Sequence, residues 1–510
     1  MTSAPFVKTI RYIVIGIALP MLTQVSPTQI RLEGYESRTG LLKEHLTYVD
    51  KKLDYEIRAF KKNRYFLQKF GQAAWEGKLK ELHEARTKCL LFEDDKGFWT
   101  YSGLAQGLAD AFDDHLYLQH KLPTPKTIPW AVVPEHKLRY YQDEAIEKLL
   151  AAKHAGVEIG TGLGKTRILL ELCKSLGLKT IVMAPSVNIA NQILELFTLH
   201  VGSKYVGAYF AGKKKFDKLF VVAVAQSLTK IEPGTPAYKA LSKADVFIAD
   251  ESHTCPAKTL SHVCFGLAAN ASYRFFFSGT QLRNDGLGLL LDAITGPIVY
   301  RMTVQEGVDQ GFLAQPTFRM MRLKSTVTYN SEDPNDLTRA HIYYSPQVNL
   351  AAADLANRAV SLMKRPTLIL VDELEQFSHL LPHLRFEARF AHGGVNAGNK
   401  DSVPAEHHDS DPKALVDAFN RGEFPILVGT SCVATGTDFK GVQCIIYLRG
   451  GKSEIELKQS VGRGTRRSPG KTDCLFIDFR IDNVPMLARH ADARKELYAQ
   501  IFPSYKEIAL

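Results

Sequence analysis

Two hydrophobic periods alternate along most of this chain. Compact apolar runs, bounded by Gly, Pro, Asp or Ser, recur at residues 180–184, 219–225, 245–249, 273–277, 367–371, 426–429, 444–448 and 474–477. Between them lie longer stretches with apolar positions three and four apart, as at 187–199 and 411–420. Short strands buried on both faces, alternating with amphipathic helices, predict parallel sheets covered on both sides. One series ends and a second begins near Gln310, so two α/β domains in tandem are expected. Ahead of them the pattern is mixed, with strands expected at 29–32 and 89–92 and helices at 38–49 and 101–112. Pro123, Pro125, Pro129 and Pro134 crowd residues 121–136, which favours an extended linker. The expected organisation is an α+β module over 1–120, the linker, an α/β domain over 137–308 and another over 309–510.

Bulk properties narrow the field without deciding it. A length of 510 residues suits about three domains. Lys and Arg number 64 against 54 Asp and Glu, a net +10 that fits a polyanionic partner. Seven cysteines occur with no Cys-x-x-Cys pair, which argues against a zinc site or a disulfide framework and suits a reducing cytosol. The apolar run 12–22 follows Lys8 and Arg11 in signal-peptide order. It lacks a convincing small-x-small site and is too short for a bilayer, so a β-strand is expected there and no membrane partner. Lys213-Lys214-Lys215 is expected at a hairpin tip, Cys255 as a packed thiol, and His407 and His408 in a loop without ligand spacing.

Three motifs carry chemistry. Gly160-Thr161-Gly162-Leu163-Gly164-Lys165-Thr166 joins an apolar run to a helix-periodic one, as a phosphate-binding loop does. Glycines turn backbone N–H groups toward one point, and the following helix directs its positive end there. Lys165 would meet the β- and γ-phosphates, and Thr166 would bind Mg²⁺. The strict pattern wants Gly where Ile159 stands. Asp250-Glu251-Ser252-His253 follows the run 245–249 at the same sheet edge; Asp250 would hold Mg²⁺ and Glu251 would orient and deprotonate water. Arg463 and Arg466, within Gln459-Ser460-Val461-Gly462-Arg463-Gly464-Thr465-Arg466-Arg467, belong to the second domain. Gly462 and Gly464 allow close approach, so an arginine could cross a cleft to a γ-phosphate and tie hydrolysis to domain movement.

In this order the three motifs resemble those of superfamily 2 helicases and translocases. That resemblance implies two RecA-like domains, the cofactors ATP and Mg²⁺, and a nucleic-acid partner. It assigns Gln142, within Leu138-Arg139-Tyr140-Tyr141-Gln142, to reading adenine. Pro185, Ser186 and Gln192 resemble motif Ia, and Ala225-Gln226-Ser227 motif Ib, both facing the nucleic-acid backbone. Ser278-Gly279-Thr280 resembles motif III, His392-Gly393-Gly394 the loop after motif IV, and Thr430 with Thr435-Gly436-Thr437-Asp438 motif V. Thr430 would contact nucleic acid, and Gly436 and Asp438 the nucleotide. Residues 281–286 depart from the Pro-x-Arg-x-Asp-Gly pattern common there.

Among subfamilies, Arg283 to Gly286, the acidic box and the N-terminal module resemble phage UvsW-like branch-migration helicases and their XPB-type and RecG-type relations. This implies DNA as partner, branched, forked or single-stranded, alongside replication or recombination proteins. In the module, Lys51, Lys52, Arg58, Lys61, Lys62, Arg64 and Lys69 interleave with Tyr55, Phe60, Tyr65, Phe66 and Phe70. Such a stretch can neutralise phosphates and stack on bases, or form a helix with a solvated basic face. An RNA helicase, the motor subunit of a remodelling or restriction complex, and an ATP-clamped scaffold stay open as alternatives. Glu251 and both arginines weigh against the scaffold, which needs no hydrolytic base.

Overall fold

The computed structural model describes residues 20–131, 137–254, 261–279, 286–395, 400–408, 410–430, 439–451, 454–468 and 470–501. The N-terminal module contains β1 (Met21–Ser26), β2 (Gln29–Glu33), β3 (Thr47–Val49), β4 (Thr87–Cys89), β5 (Phe92–Asp94), β6 (Gly97–Tyr101) and β7 (Leu116–Leu118). Its sheet runs β5-β6-β2-β1-β7, with β1 antiparallel to β2 and parallel to β7. Leu22, Ile30 and Leu32 point into a core shared with Leu42, Leu108 and two residues of the next domain, Leu287 and Ala293. The module is therefore docked by burial. Tyr101 stacks on Phe265 at 3.8 Å between ring centroids, and Ser102 Oγ lies 3.2 Å from His154 Nδ1.

Three expected elements differ in this module. The helix expected over 101–112 begins at Ala105, because Tyr101 ends β6 and Ser102–Leu104 form a 3-10 turn. The helix expected over 38–49 spans Thr39–Leu46, and Thr47-Tyr48-Val49 become β3. Two β-branched residues flanking an aromatic favour a pleated strand, and Tyr48 is buried while its neighbours are half-buried. The strand expected over 89–92 is broken. Cys89 ends β4 and Phe92 begins β5, with the Leu90 N–H bonded to Leu46 O at 2.8 Å where the chain changes sheet. Strands β3 and β4 pair as the stem of an arm made of helices Lys52–Lys61, Arg64–Phe70 and Gln72–Arg86. Ile57 is the one buried side chain of these helices among the described residues. Ring contacts hold the arm together: Phe60 meets Phe66 at 5.0 Å and Trp75 at 6.2 Å. Of the apolar run 12–22, residues 12–19 lie outside the described residues, and Met21 and Leu22 begin β1.

Residues 121–131 run extended along the following domain. The Lys126 N–H bonds Leu176 O, the Ala131 N–H bonds His200 O, and Trp130 packs on Phe197 and Phe220. That domain holds β8 (His154–Ile159), β9 (Thr180–Ala184), β10 (Val206–Phe210), β11 (Lys213–Lys214), β12 (Phe220–Val224), β13 (Val246–Ala249), β14 (Tyr273–Ser278) and β15 (Ile298–Met302). They order as β11-β10-β12-β9-β13-β14-β8-β15, all parallel except β11. The turn before β11 is Ala211-Gly212, both at positive φ, so Lys213 and Lys214 lie on the return strand and not at the tip.

The last domain holds β16 (Gln315–Leu323), β17 (Thr367–Leu370), β18 (Ala388–Ala391), β19 (Ile426–Gly429), β20 (Cys444–Tyr447) and β21 (Asp473–Ile481), ordered β16-β21-β20-β17-β19-β18 and parallel throughout. Helix Pro485–Ile501 is fastened to this sheet by a buried ion pair. Arg494 donates to Asp478 at 2.7 and 2.9 Å, and Tyr498 donates to the same carboxylate at 2.8 Å. Removing either charge would strand the other away from water. The two parallel sheets are RecA-like domains. Among the described residues no helix is long and apolar enough to cross a membrane.

Docking of the N-terminal module can be tested at two glycines. A Cβ on Gly103 would lie 2.4 Å from the carbonyl oxygens of Asp292 and Ala293, whereas a Cβ on Gly107 meets open space within a helix. Gly103→Ala should destabilise the chain by about 1–3 kcal/mol, and Gly107→Ala should stabilise it by about 0.5–1 kcal/mol. Thermal unfolding of the two variants checks the opposite signs.

Candidate functional site

The phosphate-type loop is built by the end of β8. Ile159 is fully buried in the core, and the Gly160 N–H bonds Met302 O at 2.9 Å. Ile159 is thus the last residue of the strand and takes no part in the turn, which explains why no glycine is needed there. Gly162 and Gly164 adopt φ of +88° and +83°, left-handed conformations that disfavour any side chain. Helix Lys165–Leu176 starts at once, and Lys165 Nζ donates back to Ile159 O at 3.2 Å.

Strand β13 ends at Ala249 and is followed by Asp250 and Glu251. Strand β14 lies between β13 and β8, so Ser278 and Gly279 sit between the acids and the loop. A Cβ on Gly279 would come 3.5 Å from Thr161 Oγ1 and 3.8 Å from Lys165 Nζ. Burial, with the neighbouring Glu251 charge, pushes the Asp250 carboxyl up to about 6. Burial alone would raise Glu251 as well, yet Lys165, His253 and Arg463 together hold it below the ordinary range. His253 Nδ1 lies 3.3 Å from Glu251 Oε2 and 3.2 Å from Ser278 Oγ. Glu251 has φ +52°, a strained backbone for a residue with a side chain. One strand end therefore presents two carboxyls with different proton affinities.

The third component comes from the other domain. Helix Glu454–Gly464 delivers Gly462 onto the loop, where a Cβ would be 2.4 Å from Thr161 Cβ. A Cβ on Gly162 would lie 3.4 Å from Arg466 Cγ and 3.5 Å from Gly462 O. Leu313 bridges Arg466, and the Ala314 N–H bonds Thr465 O at 2.6 Å. The two domains enclose a cavity of about 820 Å³, whose wall includes Lys165, Thr166, Asp250, Glu251, Arg463 and Arg466. That volume lies within the range of small-molecule sites. The glycine cradle, lysine and helix start suit a triphosphate. A hydroxyl and one buried carboxylate suit Mg²⁺, which takes its other ligands from phosphates and water.

Other anticipated residues scatter differently. Thr161, Gly162, Gly164, Pro185, Ser186 and Gln192 share the cavity wall, with Ser186 capping helix Val187–Val201. Gly160 closes on Val304 beside the loop. Ala225, Gln226 and Ser227 form a short helix after β12, and Thr430 follows β19 with its N–H on Ala391 O. Neither group reaches the cavity wall, though each lies beyond the C-terminal end of a parallel strand, the edge where such sheets bind ligands. Gln142 is 3 % exposed, and its amide donates to Leu163 O and Gly164 O of the phosphate loop. His392 is a buried structural residue that bonds His407 O. Gly436, Asp438, Thr435, Thr437, Thr280, residues 281–285 and Cys255 lie outside the described residues. Sequence reasoning missed Arg139, Phe312 and Lys413, which also border the cavity. Lys413 pairs with Glu195 across the domains at 2.7 Å. The spacing of Arg139, three before Gln142, is the one signal that could have been read.

Comparison with known proteins gives the same picture. Residues 135–283 match the family described as "Type III restriction enzyme, res subunit", and residues 360–468 match "Helicase conserved C-terminal domain". The DNA 3'-5' translocase XPB2 of Sulfurisphaera tokodaii is 21 % identical over 373 residues, covering 67 % of this chain and 81 % of that protein. "Probable helicase D10" of Escherichia phage T5 is 24 % identical over 387 residues, covering 75 % and 80 %. The structure of Saccharomyces cerevisiae Dbp5 bound to RNA and ADP BeF3 shares the fold at TM-score 0.52 and 15 % identity, over 74 % of this chain and 94 % of that one. Both matched models fall on the two RecA-like domains whose facing edges form the cleft, and the chain belongs to superfamily 2 of the helicases and translocases.

Proposed function

We propose that this chain is an ATP-driven DNA motor that remodels branched or forked DNA. The observation that carries this reading is the contact of Gly462 with Thr161, which lays a two-arginine segment of one domain on the phosphate loop of the other. Lys165 would neutralise the phosphates, and Thr166 and Asp250 would hold Mg²⁺. Bound there, the ion would supply positive charge that offsets the charge of the transferring group. Glu251, kept ionised by Lys165, His253 and Arg463, orients a water and takes its proton. Arg466, with Arg463 beside Glu251, supplies positive charge to the γ-phosphate from across the cleft. Loss of that phosphate removes the ligand that both domains share, so the cleft loosens after each turnover.

DNA as the track is supported by the basic excess of the chain and by the XPB2 relative, a DNA 3'-5' translocase. The arm is proposed to select the substrate. Residues 51–88 hold eleven Lys and Arg against five Asp and Glu. While Phe60 and Phe66 pack inside the arm, Tyr55, Tyr65 and Phe70 stand 73 %, 66 % and 53 % exposed. Lys69 lies within 5.4 Å of the Tyr65 ring and 5.3 Å of the Phe70 ring. Exposed rings beside cations offer stacking for unpaired bases and charge for their phosphates, the combination found at a fork.

Lys165→Ala should lower DNA-stimulated ATP hydrolysis by about a hundredfold or more, and Arg466→Ala by about a thousandfold, with thermal unfolding unchanged. A Lys165→Ala chain that hydrolyses ATP at the parent rate contradicts the reading. Tyr65→Ala combined with Phe70→Ala should weaken binding of forked DNA by about tenfold and leave DNA-independent hydrolysis alone. Fluorescence anisotropy with forked DNA, a four-way junction, plain duplex and duplex RNA checks the preference. Stimulation by RNA alone would overturn the DNA assignment.

A further inference from the structure

Residues 121–131 are tied to the helix of the phosphate loop at both of its ends. At the C-terminal end the Lys126 N–H bonds Leu176 O at 2.8 Å. Gly177 follows at φ +56°, and Lys126 O occupies the place that a side chain there would need. At the N-terminal end the connection runs through His200, 2 % exposed in the last turn of helix Val187–Val201. Ala131 pairs with His200 twice. Its N–H bonds His200 O at 2.7 Å, and its carbonyl oxygen lies 3.1 Å from His200 Nδ1. Trp130 lies over the imidazole, with ring centroids 5.9 Å apart at an angle of 30°. Arg167 Nη1 reaches the other ring nitrogen, His200 Nε2, at 3.1 Å.

A guanidinium only donates, so His200 Nε2 accepts and the ring proton sits on Nδ1, where it donates to Ala131 O. The imidazole is therefore a bridge of fixed direction between the extended segment and Arg167. Arg167 lies two residues after Lys165 and one after Thr166. Its charge stands in the first turn of the helix, where the helix's own positive end repels it. Glu171, one turn on, accepts from Arg167 Nη2 at 2.8 Å and offsets that repulsion from within the helix. His200 holds the same guanidinium from outside the helix. A displacement of about 1 Å can cost a site about a hundredfold in rate. An outside hold on the turn that carries Lys165 and Thr166 thus has leverage beyond the strength of its own bond.

We infer that residues 121–131 are a strap that sets the phosphate loop, with His200 and Arg167 as the positioning residues through which the N-terminal module is tied to the nucleotide site. This rests on the reading of the cavity as the motor's nucleotide site. Neither His200 nor Arg167 belongs to the cavity wall, so both act through Lys165 and Thr166. Those two residues hold phosphates in the ground state and the transition state alike. Loosening them raises KM and spares kcat.

The test is steady-state ATP hydrolysis with forked DNA on full-length variants, below the unfolding transition of each. His200→Phe keeps a flat ring but loses both bonds, and should raise the KM for ATP about tenfold while kcat changes by less than about twofold. The amide of His200→Gln can donate to Ala131 O and accept from Arg167, so KM should return to within about threefold of the parent. Arg167→Met leaves Glu171 paired with Lys174 at 3.3 Å and should raise KM as His200→Phe does. The double variant should show no further rise, because both changes remove the same bond. Ala131→Pro deletes the N–H of the strap and alters neither helix, and should raise KM about fivefold. If His200→Phe does not fold, Arg167→Met and Ala131→Pro decide the matter alone. A KM unmoved in either of these overturns the inference, as do additive effects in the double variant or a His200→Gln chain that behaves like His200→Phe. If the parent fails to bind fluorescent N-methylanthraniloyl-ATP with Mg²⁺, the nucleotide-site reading itself fails.

Discussion

Thr161 and Gly462 touch across two domains with no room between them for a side chain. A Cβ at Gly462 would stand 2.4 Å from Thr161 Cβ, and the phosphate loop opposes it with Gly162, itself held at φ +88°. This backbone-to-loop approach is what the remaining structure serves. Strands β13 and β14, buried throughout, and the largely buried β8 fix one side of the contact. Strand β21 and the Asp478–Arg494–Tyr498 cluster fix the other domain as a unit. Close-packed units of this kind move as rigid bodies. Under the proposed mechanism a ligand in the cavity is therefore felt as a rotation of one sheet against the other.

Electrostatics at the cleft depends on the same approach. Two adjacent carboxyls share one strand end, and their environments drive them apart. Burial beside Glu251 raises Asp250, while Lys165, His253 and Arg463 lower Glu251. Arg463 adds the smallest of these contributions from the second domain, after Lys165 and His253 of the first. The left-handed backbone of Glu251 is consistent with a residue held for chemistry at a cost in local stability.

Much of the fold was legible because its signals are local. Runs such as 180–184 and 426–429 are continuous apolar segments, and only a strand buried on both faces needs such a run. The loop was legible too, since Gly162 and Gly164 must adopt positive φ and Lys165 must open a helix. What escaped depends on tertiary partners. Thr47–Val49 continues a helical period, yet pairing with Thr87–Cys89, distant in sequence, draws it into a strand. Gln142 bonds Arg139, Leu163 and Gly164, contacts that no spacing reveals. Phe312 is silent in the sequence because it meets the cavity only where the connector folds over Tyr141.

The central claim is that nucleotide binding drives this cleft shut. Glu195 and Lys413 form an ion pair at 2.7 Å from opposite domains and are both well exposed, so they can carry probes without disturbing the core. Pulsed electron paramagnetic resonance between nitroxides on Glu195→Cys and Lys413→Cys, with the parent chain as background, reports their separation. A non-hydrolysable ATP analogue with Mg²⁺ and DNA should collect the distribution at a short distance that widens without nucleotide. A distribution indifferent to nucleotide would contradict the account.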